Sequence, residues 1–173
     1  MGDSDTRFAY VGLKLDPSEW DVEVDKVRHM LNDTMQLGIT SCMLNNYLEG
    51  EGRIPEHFDE VRAHGEHKVI VSVTLGGARP FRIRHRDTDA RKEVLTAPGS
   101  ALIMFGNMQE THMHELPLIE GQCPHRIALT FRSIVPGWER LNAPQDEVMR
   151  ACVEKDAIPE AQRTKLRAAG LEG

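Results

Sequence analysis

The sequence predicts a mainly β domain with flanking helices, whose strands form a sandwich or barrel of the jelly-roll kind. Two observations support this fold class. One amphipathic helix precedes several short segments in which apolar and polar residues alternate, and turn residues separate these segments about every eight to twelve residues. A chain of 173 residues is long enough to bury one core of this kind.

The first predicted element is a helix from Asp16 to Gly38. Asp16 suits the N-cap, Pro17 suits the first helical position, and Gly38 suits the end. Apolar residues recur between them at spacings of three and four, which predicts one face that packs against the core. These residues are Trp20, Val24, Val27, Leu31 and Met35.

Five later segments have the composition of strands, namely TSCMLNNY, KVIVSVTL, RPFRIRH, ALIMF and HRIALTFRSIV. Glycines at 76 and 77 and the stretch APGS predict turns between them. After Trp138 the composition becomes helical again around two prolines. We therefore expect one domain at residues 1–138 and a C-terminal helical appendage at residues 139–173.

The formal net charge of −6 argues against a protein that wraps duplex nucleic acid with its whole surface. One basic stretch, RPFRIRHRDTDARK at residues 79–92, either contacts phosphates or forms a solvated strand edge. No apolar run is long enough for a membrane span, and the N-terminal residues do not resemble a secretory signal. Three widely separated cysteines (Cys42, Cys123 and Cys152) indicate a reducing intracellular compartment, cytoplasmic or nuclear.

Two pairs of polar residues can point to one side of a strand. His57 and Asp59 are two residues apart, so in a strand they share a face and either hold a metal ion together or form a polar pair. In RIALTFR, one face carries Arg126, Ala128, Thr130 and Arg132, and the other carries the apolar residues Ile127, Leu129 and Phe131. Guanidinium groups are suited to carboxylates, so the face with the arginines predicts a site for an organic acid.

A second histidine would complete a metal site of two histidines and one carboxylate, the ligand set of non-haem Fe(II) oxygenases. The stretch QETHMHELP offers His112 and His114 as candidates. The order of motifs along the chain, NxY, HxD, HxLP and RxxxTFR, is more informative than any one of them.

These motifs resemble the AlkB family of Fe(II)- and 2-oxoglutarate-dependent dioxygenases. The resemblance runs from about Tyr10 to Ile134 and rests on LNNYLEGEGRIPEHFDE, VIVSVTLGGARPFRIRHR, PGSALIMFGNMQETHMHELP and RIALTFR. It implies a double-stranded β-helix, which is a jelly roll. It also implies that His57, Asp59 and His114 bind iron. His114 is preferred because the residue after it is followed by LP, and because it precedes Arg126 by twelve residues.

The resemblance also implies roles for residues around the iron. Asn45, Tyr47, Arg126 and Arg132 match the positions that bind 2-oxoglutarate, and Glu60 matches an acidic position that reads the substrate base. If the strand is straight, the two arginines lie about 20 Å apart. In that case one of them anchors the far carboxylate of the cosubstrate and the other has a different role.

The implied reaction uses Fe(II), 2-oxoglutarate and dioxygen, with ascorbate as a stimulant, and hydroxylates a substrate C–H bond. On an N-methyl group, the product releases formaldehyde. The expected substrate is an alkylated base of DNA or RNA, with single strands favoured because no base pair must be opened. Two alternatives stay open: the same chemistry on a protein side chain or small metabolite, and a non-catalytic jelly-roll module with a structural zinc or no metal. The oligomeric state is not predicted.

Two departures from the family pattern bear on the site. Ala128 stands where many members have asparagine, which removes one polar group near the cosubstrate. Many members also have a longer N-terminal region that covers the nucleotide. Here the segment from Tyr10 to Gly38 is the expected source of substrate contacts on that side.

Overall fold

The computed structural model describes residues 1–10, 13–50, 52–60, 63–64, 68–119 and 124–137, with side chains omitted for residues 8–14. The predicted helical appendage at residues 139–173 lies outside the described residues. So do Trp138, His67, Cys123 and Cys152.

The described residues form ten strands and two helices. In chain order these are β1 (Phe8–Tyr10), β2 (Leu13–Leu15), α1 (Val22–Met35), β3 (Ser41–Tyr47), β4 (Ile54–His57), β5 (Ile70–Gly76), β6 (Arg79–His85), β7 (Arg91–Thr96), β8 (Ala101–Met104), α2 (Met108–Thr111), β9 (His112–Leu116) and β10 (Arg126–Arg132). None of the helices in this part of the chain is long and apolar enough to cross a membrane.

Two four-stranded antiparallel sheets make up the body of the fold. We call the sheet with strand order β3-β10-β5-β8 the major sheet and the one with order β4-β9-β6-β7 the minor sheet. One cluster of buried residues joins them, with Tyr47 and Ala128 from the major sheet and Phe81 and Leu116 from the minor sheet. This arrangement confirms the predicted jelly roll.

Helix α1 begins later than predicted. Asp21, not Asp16, is the N-cap, and its side chain accepts hydrogen bonds from the backbone N–H groups of Glu23 and Val24. The helix ends at Met35, and its C-cap Gln36 adopts the left-handed conformation at φ 53°, two residues before Gly38. Asp16 instead forms a salt bridge with Arg7. Several aspartates in this segment suit an N-cap, and their tertiary contacts decide between them.

The alternation of side chains along β5 and β10 gives the major sheet two different faces. Val71, Leu129 and Phe131 pack on the outer face against α1 residues such as Leu31. The intervening residues, among them Ser72 and Thr130, face the space between the sheets. Helix α1 therefore covers the side of the sheet that is opposite the pocket, so the helical part of the segment from Tyr10 to Gly38 does not line the pocket.

Two strands of the minor sheet have no clear signal in the sequence. In β7, the run RKEVLT is mostly exposed and begins with three charged residues, as suits an edge strand. Strand β9, HMHEL, contains no β-branched residue and only five residues in all. Each forms because it pairs with β6, which has the stronger strand pattern.

Candidate active site

His57, Asp59 and His114 come together at one end of the space between the sheets. Their potential ligand atoms all lie within 4.8 Å of one another. Strands β4 and β9 pair so that His57 is directly opposite His114, and the two ring centroids are 4.3 Å apart. Asp59 follows, with Oδ1 3.7 Å from Nε2 of His57. A pair of strands therefore brings together residues that are far apart in sequence.

The sequence suggested that Asp59 lies on the same strand as His57, but the structure differs. Strand β4 ends at His57, so Asp59 lies beyond the strand rather than two residues along its face. Its backbone N–H donates to Oε1 of the buried Gln109 at 2.9 Å. The segment after β4 and the side chain of Gln109 thus hold Asp59 in place.

The geometry separates the two candidate histidines of β9. His114 is buried and faces the pocket, whereas His112, two residues earlier, contacts other groups. Nδ1 of His112 lies 2.8 Å from the hydroxyl of Thr111, and its ring meets His85 edge-on at 4.8 Å. His114 is therefore the histidine of β9 that the fold groups with His57 and Asp59.

The electrostatics of the cluster favour the forms that bind a metal. Burial alone would raise the pKa of Asp59, but Arg132 and the nearby histidines together outweigh it and hold this pKa well below its usual range. Two nitrogens of Arg132, Nε and Nη2, donate to Oδ2 at 2.9 and 2.6 Å. Burial lowers the pKa of His114 to about 3, so its ring is neutral at physiological pH. Carboxylate and neutral imidazole are the ligand forms that divalent metals require.

The orientation of His57 fits the same role. Its Nδ1 lies 2.7 Å from the carbonyl oxygen of Pro55, which can accept a hydrogen bond from this nitrogen. With the proton on Nδ1, the lone pair of Nε2 points toward Asp59 and is available to a metal. Two imidazoles and one carboxylate, with an open pocket beside them, fit an Fe(II) ion that keeps free coordination positions.

A pocket extends from this cluster between the two sheets. Its polar lining includes Asn45, Ser72, Thr130, Arg126 and Arg132. Its apolar lining is formed by Met43, Ile54, Phe81, Met104 and Leu116. The pocket combines apolar walls with a few polar groups, as small-molecule sites do, and it has cationic groups at both ends.

The two arginines of β10 occupy different ends of this pocket. Arg132 is bonded to Asp59 at the metal end. Arg126 lies beside the Tyr47 ring, 5.2 Å from its centroid, and its Nη2 donates to the hydroxyl of Thr74 at 3.1 Å. Nε of Arg126 is buried without a hydrogen-bond partner in the described structure. Strand β10 thus places one guanidinium group at each end of the pocket, as expected from the length of the strand.

Asn45 and Tyr47 lie next to Arg126 and Thr130. The side-chain amide of Asn45 donates to the hydroxyl of Thr130 at 3.2 Å. Burial raises the pKa of Tyr47 to about 12 despite the nearby charge of Arg126, so its hydroxyl keeps its proton. Ala128 lies opposite Asn45 in the sheet and packs among apolar residues. Asn45, Thr130 and Ser72 are the uncharged polar groups of the major sheet that line the pocket.

Two buried polar residues escaped the sequence analysis. His64 is only 6% exposed, and both of its ring nitrogens are buried without a hydrogen-bond partner in the described structure. Burial lowers its pKa to about 4. Arg79, expected in the basic surface stretch, is fully buried. Both residues occur in charged segments of the sequence, and no local pattern marks them as buried.

The remaining arginines of the basic stretch at residues 79–92 are mostly paired with acidic groups. Arg84 forms two short bonds to Glu56, and Arg82 bonds to Glu93. Arg91 bonds to Asp89. These ion pairs reduce the positive charge that the stretch presents to phosphates.

Glu60 follows Asp59 directly and is partly buried, but it is not among the described residues that line the pocket. Its contact with a substrate base stays a prediction.

Comparison with known proteins places the chain in a family. A family model described as the 2OG-Fe(II) oxygenase superfamily matches residues 5–132. The DNA oxidative demethylase ALKBH2 of Bos taurus is 31% identical over 147 residues, which cover 80% of this chain and 53% of that protein. The alpha-ketoglutarate-dependent dioxygenase alkB homolog 3 of Bos taurus is 22% identical, covering 75% of this chain and 49% of that protein.

A solved structure of OsALKBH1 has a TM-score of 0.48 and 21% identity, over 69% of this chain and 66% of that chain. The chain spans about half the length of the curated bovine relatives that it matches. The family model covers most of the described residues, including every residue of the metal cluster. The chain belongs to the 2OG-Fe(II) oxygenase superfamily and has AlkB-like relatives.

Proposed function

We propose that this chain is an Fe(II)- and 2-oxoglutarate-dependent dioxygenase that removes alkyl groups from the nitrogens of DNA or RNA bases. The observation that carries the proposal is the open cluster of His57, Asp59 and His114, which shares a pocket with the incompletely bonded cation of Arg126. The cluster of His57, Asp59 and His114 suits an iron ion, and Arg126 suits a carboxylate.

His57, Asp59 and His114 would hold the iron. When bound, the iron couples the oxidative decarboxylation of 2-oxoglutarate by dioxygen to the hydroxylation of a substrate C–H bond. The protein contributes fixed geometry. Arg132 holds the Asp59 carboxylate by two hydrogen bonds, and the carbonyl of Pro55 orients the His57 ring. Such supporting contacts raise metal affinity because the ligands need no rearrangement.

The cosubstrate would span the pocket between the two arginines. Arg126 and the protonated hydroxyl of Tyr47 are suited to its far carboxylate. Asn45 stands along the wall between the two ends. Arg132 lines the metal end, so besides holding Asp59 it can contact the carboxylate nearest the metal.

The substrate class rests on the relatives and on charge. ALKBH2, to which the chain is similar, is named a DNA oxidative demethylase. The net charge of −6 and the paired arginines of the basic stretch provide few contacts to offset the cost of opening a duplex. We therefore propose that single strands are preferred, with Glu60 contacting the base. Such a substrate would place the protein in the cytoplasm or nucleus.

The same paired arginines favour the second candidate, hydroxylation or demethylation of a protein side chain or small molecule. A non-catalytic zinc module is less well supported, since the clustered ligands in the described residues number three rather than the closed set of four that structural zinc prefers.

The test measures formaldehyde and succinate from single-stranded and duplex oligonucleotides with N-methylated bases. We expect both products in equal amounts, with single strands reacting faster. His114→Ala should lower turnover at least about a hundredfold, because it removes a ligand from a three-ligand site. The matched control is His112→Ala, on the same strand two residues away, which should retain wild-type turnover.

The outcomes separate the candidate functions. Succinate formation with no demethylation of any oligonucleotide would favour a protein or metabolite substrate. If the folded protein bound neither Fe(II) nor 2-oxoglutarate, the enzymatic proposal would be wrong.

A further inference from the structure

Arg79 is the largest fully buried side chain in the described structure, and no described residue neutralises its charge. Nη2 donates to the carbonyl oxygens of Gly52 and Pro117 at 2.8 and 2.7 Å. Nε and Nη1 are buried without a hydrogen-bond partner, and no described carboxylate forms a salt bridge with the side chain. A buried guanidinium with two neutral partners is costly unless another anion compensates its charge.

A series of contacts connects Arg79 with the far end of the pocket, which is the end formed by Tyr47 and Arg126. Arg79 and Phe81 point to the same face of β6, and Phe81 lines the pocket. Gly52, which accepts the hydrogen bond from Arg79, packs so closely on Tyr47 that an added Cβ would lie 2.5 Å from the Tyr47 Cβ. Tyr47 in turn lies directly under Arg126. A continuous set of contacts therefore runs from Arg79 to the Tyr47–Arg126 end of the pocket.

Two buried cations thus lie at the end of the pocket remote from the metal cluster. At the metal end, Arg132 is neutralised by Asp59. At the far end, Arg126 and Arg79 have no such carboxylate among the described residues, and each retains an unpartnered nitrogen. The field of Arg79 reaches both Tyr47 and Arg126. A ligand with a carboxylate at this end would supply the missing negative charge.

We propose that Arg79 is a positioning residue for 2-oxoglutarate, whose fixed charge behind Tyr47 makes the far end of the pocket selective for a ligand with a second carboxylate. Arg79 acts through the wall formed by Gly52 and Tyr47 and is not itself part of the pocket lining. The inference rests on the proposed function, because it assigns a role toward that cosubstrate. The proposal adds a residue from the minor sheet to the cosubstrate site, whose residues predicted from the sequence all lie on β3 and β10.

The test compares two matched ligands on two variants. 2-Oxopentanoate has the carbon chain of 2-oxoglutarate but a methyl group in place of the far carboxylate. Binding of each ligand is measured by calorimetry on the Mn(II)-loaded protein without dioxygen, so the readout does not depend on turnover. Arg79→Met removes the charge and keeps most of the stem, whereas Arg79→Lys keeps the charge and loses the forked donors.

We expect wild-type protein to bind 2-oxoglutarate more tightly than 2-oxopentanoate. Arg79→Met should reduce this preference on the order of tenfold, by weakening 2-oxoglutarate while leaving 2-oxopentanoate nearly unchanged. Arg79→Lys should retain most of the preference. Thermal melting of each variant checks that it is folded. Where Arg79→Met does not fold, the Lys variant decides: a retained preference supports the proposal and a lost one contradicts it.

A purely structural role gives a different result. If Arg79→Met weakened both ligands by the same factor, Arg79 would only support the wall of the pocket and the proposal would be wrong. If the wild-type protein bound neither acid, the proposed function itself would fail, so the two failures are distinguishable.

Discussion

The two ends of strand β10 place the same residue type in opposite electrostatic conditions. At the metal end, Arg132 donates two hydrogen bonds to Asp59, and both side chains are almost fully buried. At the other end, Arg126 donates to a neutral hydroxyl and keeps one nitrogen unpartnered. Among the described residues, the metal cluster therefore has its own balancing charges, whereas the end that we propose for the cosubstrate has no carboxylate. This difference predicts different results for matched substitutions.

The largest effect is expected from Arg132→Met. It leaves the Asp59 carboxylate buried without its cation, which should lower the free energy of unfolding by about 3–5 kcal/mol. Denaturant unfolding of the metal-free protein measures this loss. Added divalent metal should restore part of the stability, since the ion replaces the missing positive charge. A variant as stable as the wild type would show that the bond between Arg132 and Asp59 does not support the site.

Arg126→Met should have a smaller effect on the free protein and a specific effect on the cosubstrate. The substitution removes a cation that has no carboxylate partner among the described residues, so we expect little loss of folding stability. The affinity for 2-oxoglutarate should fall roughly a hundredfold, because a desolvated charge pair would be lost. Calorimetry measures the loss, and an unchanged Mn(II) affinity serves as the control. Equal losses of metal and cosubstrate affinity would contradict the separation of the two ends.

A third prediction concerns the pH dependence of stability, which depends on the two buried histidines near the metal cluster, His114 and His64. Burial holds the pKa of His114 at about 3 and that of His64 at about 4, whereas histidine in an unfolded chain titrates near ~6.5. Between these values the unfolded chain binds more protons than the folded chain. The free energy of unfolding should therefore decrease as pH falls from about 6.5 toward 4, by ~1.4 kcal/mol per pH unit for each histidine.

His64→Gln provides the control for this slope. It should remove the share of His64 and leave that of His114, so the pH dependence of urea unfolding should become about half as steep. An unchanged slope would show that His64 takes no part in it.

Local sequence patterns predicted the faces of the strands and the types of residue at the site. The alternation in RIALTFR correctly separated Arg126, Thr130 and Arg132 from the residues that pack against α1, because the period of a strand depends only on its own backbone. The order of motifs also identified the family that the chain belongs to. These features depend only on short stretches of sequence, so they could be predicted without knowledge of the fold.

Other features depended on partners distant in the chain. The pairing of β4 with β9 selects His114 rather than His112, and the bond between Arg132 and Asp59 joins residues 73 positions apart. Burial of His64 and Arg79 follows from the packing of the strands and loops around them, which their charged neighbours in sequence do not reveal. The sequence by itself determined which side chains could form an iron and organic-acid site. Only the tertiary structure decided which of them meet and which charge lacks a counter-ion, because these depend on contacts between separate strands.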